Sequence, residues 1–171
     1  MIKECWILNL LRHYIPALLL FTSLIGMSQK PEIIKVDQLL KKLSGAGDSV
    51  YVVNFWATWC KPCVEEMPLF IELDTKAKER GWKVKILLVS MDFIEDYDKK
   101  LLPFIEQHKV TPEVVLLDEV NANYFIPKIE NDWSGTLPFT LVLNYRGKKG
   151  ERFYKEGQMI WDELLKVTGK E

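Results

Sequence analysis

The chain has 171 residues, of which 48% are hydrophobic and 27% are charged. This composition is typical of a globular protein and excludes collagen-like, low-complexity and disordered chains, and the length favours one domain with a substantial core. With 23 Lys and Arg against 24 Asp and Glu, the net charge is −1. Such a balance offers no basic surface for nucleic acid or for an anionic membrane, so we predict no nucleic-acid partner.

The first 28 residues have the pattern of a secretory signal peptide. The basic residues Lys3 and Arg12 precede an apolar run over residues 14–25, and small residues stand three and one positions before Gln29. The apolar run is about half of the roughly 20 residues that a membrane-spanning helix needs. We therefore predict a signal peptide over residues 1–28 and export to the periplasm or another extracytoplasmic compartment. An uncleaved membrane anchor is the alternative.

Strand and helix patterns alternate along the rest of the chain. Strands that alternate with helices and end in a hairpin predict an α/β domain, with a central mixed β-sheet flanked by helices. In chain order we predict a helix from Val36 with Asp37 as its N-cap, a strand over 50–56, a helix over 60–80, a strand over 84–90, a helix over 96–109 with a kink or boundary at Pro103, a short strand over 114–117, a helical turn over 124–129, a strand over 139–144, a turn over 146–150, a returning strand over 151–154 and a helix over 160–167.

Two of the three cysteines form a pair at the start of a predicted helix. Cys5 lies in the predicted signal peptide, whereas Cys60 and Cys63 directly follow the first long strand. Residues three apart on a helix have Cβ atoms about 5–6 Å apart, close enough for a disulfide after a small adjustment. A helix N-terminus stabilises a thiolate, and Lys61 adds a positive charge while Pro62 fits the first turn. Cys60 is thus the candidate attacking thiol and Cys63 the candidate resolving thiol.

Three other interpretations of this cysteine pair remain open from the residues alone. A zinc site needs four ligands, and Cys60, Cys63 and His108 supply only three of the Cys/His type. A haem attachment site needs a histidine after the second cysteine, where Val64 stands. A structural disulfide is the third possibility, although so short a loop stabilises a fold little. We predict no metal and no other cofactor.

Residues 54–68, with the sequence NFWATWCKPCVEEMP, resemble the active-site stretch of the thioredoxin superfamily. The similarity is greatest to the exported TlpA/ResA-like branch, whose pattern is W-C-x-P-C-x-x-E-x-P. Pro138, in the sequence TLPFT, resembles a second landmark of the superfamily. The resemblance covers residues 32–169 and implies a thioredoxin fold for the domain over residues 29–171.

The resemblance also implies roles for individual residues. Cys60 would be the nucleophile and Cys63 the resolving cysteine. Pro138 would follow a cis peptide bond beside the cysteine pair, and a trans proline at the start of a strand is the alternative. Leu137 would offer backbone groups to an extended substrate. The residues expected to contact the substrate are Trp59, Lys61, Pro62 and Leu137.

Glu66 resembles an acidic residue near the active site of this branch. It follows Cys63 by three residues and shares its helix face, so a partly buried carboxylate there would have a raised pKa and would relay a proton. A solvated glutamate in the first helical turns is the alternative. Asn54 stands where cytoplasmic thioredoxins carry a buried aspartate. The run Trp133-Ser134-Gly135-Thr136 resembles a W-S-G segment of TlpA-like proteins, with either a structural role or a role in shaping the substrate groove.

We expect a thiol–disulfide oxidoreductase that reduces disulfides of exported proteins. The resemblance implies that electrons come from a membrane thiol donor and go to secreted proteins such as cytochrome c precursors. A thiol peroxidase is one alternative, since peroxiredoxins share the fold, but the proline of their P-x-x-x-T-x-x-C pattern is missing before Cys60. A redox-sensing or binding module with the same fold is the other alternative.

Overall fold

The computed structural model describes residues 30–45, 47–144 and 151–170. The predicted signal peptide, Cys5 and the predicted turn over 146–150 lie outside the described residues. Six described strands form one mixed sheet in the order β1-β4-β3-β2-β5-β6, as the alternating pattern predicts. The strands are β1 (Glu32–Ile34), β2 (Val50–Trp56), β3 (Val84–Ser90), β4 (Glu113–Leu117), β5 (Phe139–Asn144) and β6 (Glu151–Glu156). The helices are α1 (Val36–Ser44), α2 (Lys61–Glu79), α3 (Leu102–Gln107), α4 (Ala122–Ile129) and α5 (Trp161–Thr168).

Strand β2 lies in the middle of the sheet and leads directly to the cysteine pair. All seven of its residues are buried, because it pairs in parallel with β3 on one side and antiparallel with β5 on the other. Aromatic and β-branched side chains suit such a strand, which contacts packed layers on both faces. The register sets Trp56 beside Ser90 and Phe55 beside Phe139. The ends of β2 and β3 and the start of β5 therefore meet at one edge of the sheet.

Helices cover both faces of the sheet, so the core has two layers. Helices α2, α3 and α5 pack on one face, and α1 and α4 pack on the other. Alternate residues of β2 supply the two layers, as the period of a strand requires. The first layer includes Val52, Trp56, Met67, Phe70, Leu88, Leu101 and Leu164, and the second includes Val36, Leu39, Val53, Phe55, Phe125, Trp133 and Phe139.

The sequence pattern missed β1 and misplaced the N-cap of α1. Strand β1 has only three residues, too few for a periodic signal, and it pairs in parallel with the outer edge of β4. The prediction of Asp37 as N-cap is wrong, because the N-cap of α1 is Lys35. Asp37 lies within the first turn and accepts a hydrogen bond from Nζ of Lys128 at 2.7 Å, which ties α1 to α4.

The predicted helix over 96–109 consists of three different segments. A 3₁₀ turn over Ile94–Asp96 is followed by a π-helical turn over Tyr97–Leu101, and α3 begins only at Leu102. Pro103 occupies the first turn of α3, where its missing N–H group is tolerated. Among the described residues, no helix is both long enough and apolar enough to cross a bilayer.

Candidate active site

Cys60 and Cys63 form a disulfide at the N-terminus of α2. Their sulfur atoms are 2.00 Å apart and their Cα atoms 5.3 Å apart. Cys60 is the N-cap residue, and its N–H donates a hydrogen bond to the carbonyl of Ala57 at 3.1 Å, which closes the turn between β2 and α2. Cys60 is 6% exposed and Cys63 is 0% exposed. A partner molecule can therefore reach Cys60 first.

The N-terminus of α2 favours a negative charge on Cys60. The first turn of the helix contains no acidic residue, and Pro62 lies in it. The unpaired N–H groups of this turn and the helix dipole stabilise a thiolate at the N-cap. Lys61 extends into solvent, where its Nζ lies 3.8 Å from Oε1 of Glu65, so this cation is partly neutralised by its neighbour.

Asp92 fixes the turn that precedes the cysteine pair. Its buried carboxylate accepts hydrogen bonds from the backbone N–H of Thr58 at 3.1 and 3.2 Å and from the Thr58 hydroxyl at 2.6 Å. The hydroxyl of Ser90 donates to the same carboxylate at 2.8 Å. Sequence reasoning missed Asp92, although polar residues after neighbouring parallel strands meet at one edge of the sheet and could have indicated it.

Exposed aromatic side chains lie on both chain segments that Asp92 joins. Trp59 follows Thr58 and is 56% exposed, and Phe93 follows Asp92 and is 64% exposed. These side chains offer exposed apolar area on the two segments that meet at the turn before Cys60. Trp59 was predicted at this surface, whereas Phe93 was not singled out in the sequence.

Glu66 is a buried carboxylate, so the alternative of a solvated glutamate does not hold. It is 2% exposed, and Oε1 accepts a hydrogen bond from Nδ2 of Asn54 at 2.9 Å while Oε2 accepts one from the N–H of Met159 at 2.8 Å. Burial raises the pKa of Glu66 from its ordinary value of 4.5 to about 7. The hydrogen bonds from Met159 and Asn54 and the charge of Lys155 oppose this rise in pKa without cancelling it.

Pro138 lies beside the turn that carries Cys60. The Leu137–Pro138 peptide bond is cis, as the resemblance implied, so the trans alternative does not hold. Since Phe139 pairs with Phe55, Leu137 lies level with the residues that follow β2. Leu137 is partly buried, and Pro138 accepts a hydrogen bond at its carbonyl from the N–H of Gly157 at 2.8 Å.

His108, the third residue of the zinc alternative, stacks on Phe104 with ring centroids 4.1 Å apart. Both residues belong to the α3 region, and Phe104 in turn contacts Trp56 with ring centroids 5.0 Å apart. Within residues 30–45, 47–144 and 151–170, no group of three or more His, Cys, Asp or Glu side chains is placed to hold a metal ion.

Comparison with known proteins agrees with this geometry. Residues 31–148 match the AhpC/TSA family. The chain belongs to the AhpC/TSA family. This AhpC/TSA chain is 38% identical over 125 residues to thiol-disulfide oxidoreductase ResA of Oceanobacillus iheyensis, a match that covers 65% of the chain and 62% of the relative. It is 44% identical over 139 residues to ResA of Bacillus cereus, which covers 75% of the chain and 68% of the relative. The chain thus spans less than two thirds of the length of the first of these relatives.

The fold is also found in solved structures. The thioredoxin-related protein of Neisseria meningitidis serogroup B superposes with a TM-score of 0.60 at 28% identity, over 74% of this chain and 87% of that one. This likeness confirms the thioredoxin fold that the stretch over residues 54–68 implied. The AhpC/TSA chain therefore carries its cysteine pair on a thioredoxin-like sheet.

Proposed function

We propose that the protein is a thiol–disulfide oxidoreductase that reduces disulfides of exported proteins. The observation that carries the proposal is the asymmetry of the disulfide at the N-terminus of α2, in which Cys60 keeps 6% of its surface exposed while Cys63 is fully buried. A purely structural bridge across three residues would stabilise the fold little. The ResA relatives are named as thiol-disulfide oxidoreductases, which supports the same reaction class.

The reaction proceeds in two exchanges that conserve electrons. The thiolate of Cys60 attacks one sulfur of the substrate disulfide, forms a mixed disulfide and expels the other substrate sulfur as a thiolate. The thiolate of Cys63 then attacks the Sγ atom of Cys60 and releases the second substrate thiolate. Two electrons pass from the dithiol to the substrate, and the protein ends with the Cys60–Cys63 disulfide. An external thiol donor must reduce that disulfide before the next cycle.

Glu66 serves as the proton acceptor for Cys63. It lies three residues further along α2, and its buried carboxylate has a pKa of about 7, close to neutral pH. At neutral pH the protonated and ionised forms of a group with such a pKa are close in free energy, so the group both accepts and releases a proton readily. Proton transfer from the buried thiol of Cys63 to Glu66 generates the thiolate that resolves the mixed disulfide.

The substrate binds as an extended segment across the edge of the sheet. Trp59 provides an exposed flat surface, and Leu137 provides the backbone N–H and C=O groups beside Pro138. Lys61 and Pro62 border the nucleophile on the first turn of α2. Backbone pairing of this kind binds polypeptides with little dependence on their sequence.

The partners and location of the protein follow from the same proposal. Residues 1–28 act as an export signal and residues 29–171 form the thioredoxin-like domain, on the strength of the basic, apolar and small-residue pattern described above. The domain works outside the cytoplasm, where disulfides persist in exported proteins. A membrane thiol donor regenerates the reduced Cys60–Cys63 pair.

Reduction of insulin with dithiothreitol as the electron source tests this function. We expect wild-type protein to accelerate insulin reduction and a Cys60→Ala/Cys63→Ala double variant to give only the rate of dithiothreitol alone. A binding module would show no turnover in this assay. The same protein assayed with hydrogen peroxide tests the peroxidase alternative, and faster turnover of peroxide than of insulin would contradict the proposal.

A further inference from the structure

The segment that precedes the cis proline is held by a single carboxylate of β6. The backbone N–H of Ser134 donates to Oε1 of Glu156 at 2.6 Å, and the Ser134 hydroxyl donates to Oε2 at 2.7 Å. Ser134 thus binds both oxygens of Glu156. The backbone bond, the hydroxyl bond and a smaller contribution from the Thr136 side chain hold the pKa of Glu156 below its ordinary value, so the carboxylate stays ionised at neutral pH.

The same network reaches the peptide groups on both sides of the proposed substrate contact. Nε1 of Trp133 donates to the carbonyl of Thr136 at 2.9 Å. Because a peptide group is planar, fixing the Thr136 carbonyl also fixes the direction of the N–H of Leu137. On the other side, the N–H of Gly157 donates to the carbonyl of Pro138 at 2.8 Å. Since Gly157 directly follows Glu156, the last residue of β6 and the residue after it hold both ends of the loop.

Trp133 is a firm anchor for this network. It is 4% exposed, and its ring stacks on Phe139 with centroids 4.5 Å apart and 10° between the planes. Phe55 contacts the same indole with ring centroids 5.0 Å apart. Phe55 and Phe139 are paired residues of β2 and β5, so the indole is fixed to two neighbouring strands at the edge of the sheet where the cysteine pair lies.

Gly135 allows Ser134 and Thr136 to face each other. Its φ angle of +88° lies in a region that other residues rarely adopt, and a Cβ atom at this position would lie 3.0 Å from Cδ1 of Ile126. The resulting turn brings the hydroxyls of Ser134 and Thr136 to 2.8 Å from one another. The tryptophan, the serine and the glycine of this run therefore each contribute to the geometry of the loop.

We propose that Trp133, Ser134 and Glu156 are positioning residues that hold the backbone of Leu137 in the direction needed to pair with an extended polypeptide, and so select polypeptide disulfides over small ones. This inference rests on the proposed function and names its substrate class. A small disulfide reaches Cys60 without pairing with Leu137, whereas a polypeptide gains affinity from that pairing. Loss of the network therefore weakens polypeptide binding and leaves the chemistry of the cysteine pair intact.

Steady-state kinetics on two substrates test the inference. Insulin serves as the polypeptide substrate and hydroxyethyl disulfide as the small one, with dithiothreitol as the electron source and its uncatalysed rate subtracted, and Glu156→Ala is compared with wild type. Charge-assisted hydrogen bonds of this kind are strong, so we expect KM for insulin to rise roughly tenfold, with kcat and the rate on hydroxyethyl disulfide within about twofold of wild type. Glu156→Gln keeps one acceptor for the Ser134 N–H, so it should restore most of the affinity, to roughly two- to threefold above the wild-type KM.

Two further variants test whether the effect comes from the hydrogen bonds between Ser134 and Glu156. Ser134→Ala removes the hydroxyl bond alone and should raise KM for insulin less than Glu156→Ala does, and the double variant should be no worse than Glu156→Ala because the two residues act as one unit. Glu151→Gln is the matched control, since Glu151 lies on the same strand but bonds Nδ2 of Asn144 at 3.0 Å, at the other end of β6. It should leave both substrates unaffected.

The possible outcomes separate this inference from the function on which it rests. If wild type reduces both substrates and Glu156→Ala leaves KM for insulin unchanged, the positioning role is wrong and the oxidoreductase function stands. Equal losses on both substrates would also overturn it, because they would indicate a general structural effect. If wild type reduces neither substrate, the proposed function fails and this inference fails with it.

Discussion

At the scale of single residues, the most informative group is the buried carboxylate of Glu66. Its two oxygens accept hydrogen bonds from Asn54 and Met159, and burial raises its pKa to about 7. Asn54 also donates from Nδ2 to the Thr140 hydroxyl at 3.0 Å, while its buried Oδ1 has no hydrogen-bond partner among the described residues. Rotation of the Asn54 amide would present Oδ1 to a protonated Glu66. An amide, unlike the aspartate of cytoplasmic thioredoxins, can therefore serve both protonation states without titrating.

The raised pKa of Glu66 predicts a pH dependence of stability. Between pH 4.5 and about 7 the folded state binds more protons than the unfolded chain at this residue, so the free energy of unfolding falls as pH rises through this range. The full difference in pKa corresponds to about 3 kcal/mol. Glu66→Gln removes this slope, because a glutamine cannot titrate. We therefore expect the free energy of unfolding of Glu66→Gln, relative to that of wild type, to increase by about 2–3 kcal/mol as the pH is raised from 4 to 8. Urea unfolding at each pH measures this difference.

Wild type and the Glu66 variant share every other titrating group, so the difference between their stability curves reports on Glu66 alone. Carboxylates with a lowered pKa, such as Glu156 and Glu163, lose their stabilising contributions as pH falls through acidic values, and they do so equally in both proteins. Parallel stability curves for wild type and Glu66→Gln would show that Glu66 titrates normally, and its role as a proton acceptor would then fail.

At the scale of secondary-structure elements, the site forms where three strands of the sheet come together. Strand β2 leads to Cys60, the loop after β3 supplies Asp92, and Pro138 precedes β5. The order β3-β2-β5 places these three segments side by side. Residues far apart in the chain therefore form one site because the sheet register brings their strand ends to the same edge.

Asp92 should contribute to stability through this junction of elements. Asp92→Ala would leave the N–H of Thr58 and the hydroxyl of Ser90 without their acceptor, and loss of bonds to a charged group at a buried position costs about 2–3 kcal/mol. The change is measured as the free energy of unfolding in urea. Asp98→Ala is the matched control, because Asp98 is exposed on the following turn, and surface substitutions of this kind usually change stability by less than about 0.5 kcal/mol. Equal small effects for both variants would show that Asp92 does not hold the turn.

At the scale of the whole molecule, the sequence predicts the alternation of strands and helices because each of these elements has a residue pattern that is visible within a short stretch of the chain. The seven apolar residues of β2 and the helix that starts after Cys60 have periods visible in any short window. Three-residue β1 and the π-helical turn over Tyr97–Leu101 carry no such signal, since one is too short and the other differs from an α-helix only in its hydrogen bonding.

The sequence predicts the candidate reacting groups of the site better than the residues that hold the surrounding backbone in place. Cys60 and Cys63 are three residues apart and are recognised from spacing alone, and Pro138 and Glu66 come from a resemblance. Asp92 lies 34 residues from Thr58, and Glu156 lies 22 residues from Ser134. Their partners depend on strand register, which a sequence window does not contain.

In the proposed reaction, Cys60 attacks a substrate disulfide and Cys63 resolves the mixed disulfide. Reduced wild type, Cys63→Ala and Cys60→Ala are each mixed with insulin and analysed by mass spectrometry without reductant. We predict that Cys63→Ala stays joined to an insulin chain through Cys60, in an adduct that dithiothreitol releases, and that Cys60→Ala forms no adduct. Wild type should end with the Cys60–Cys63 disulfide, and each protein molecule that becomes oxidised should leave two free thiols on insulin. No adduct with Cys63→Ala, or an adduct through Cys63 in Cys60→Ala, would contradict the account.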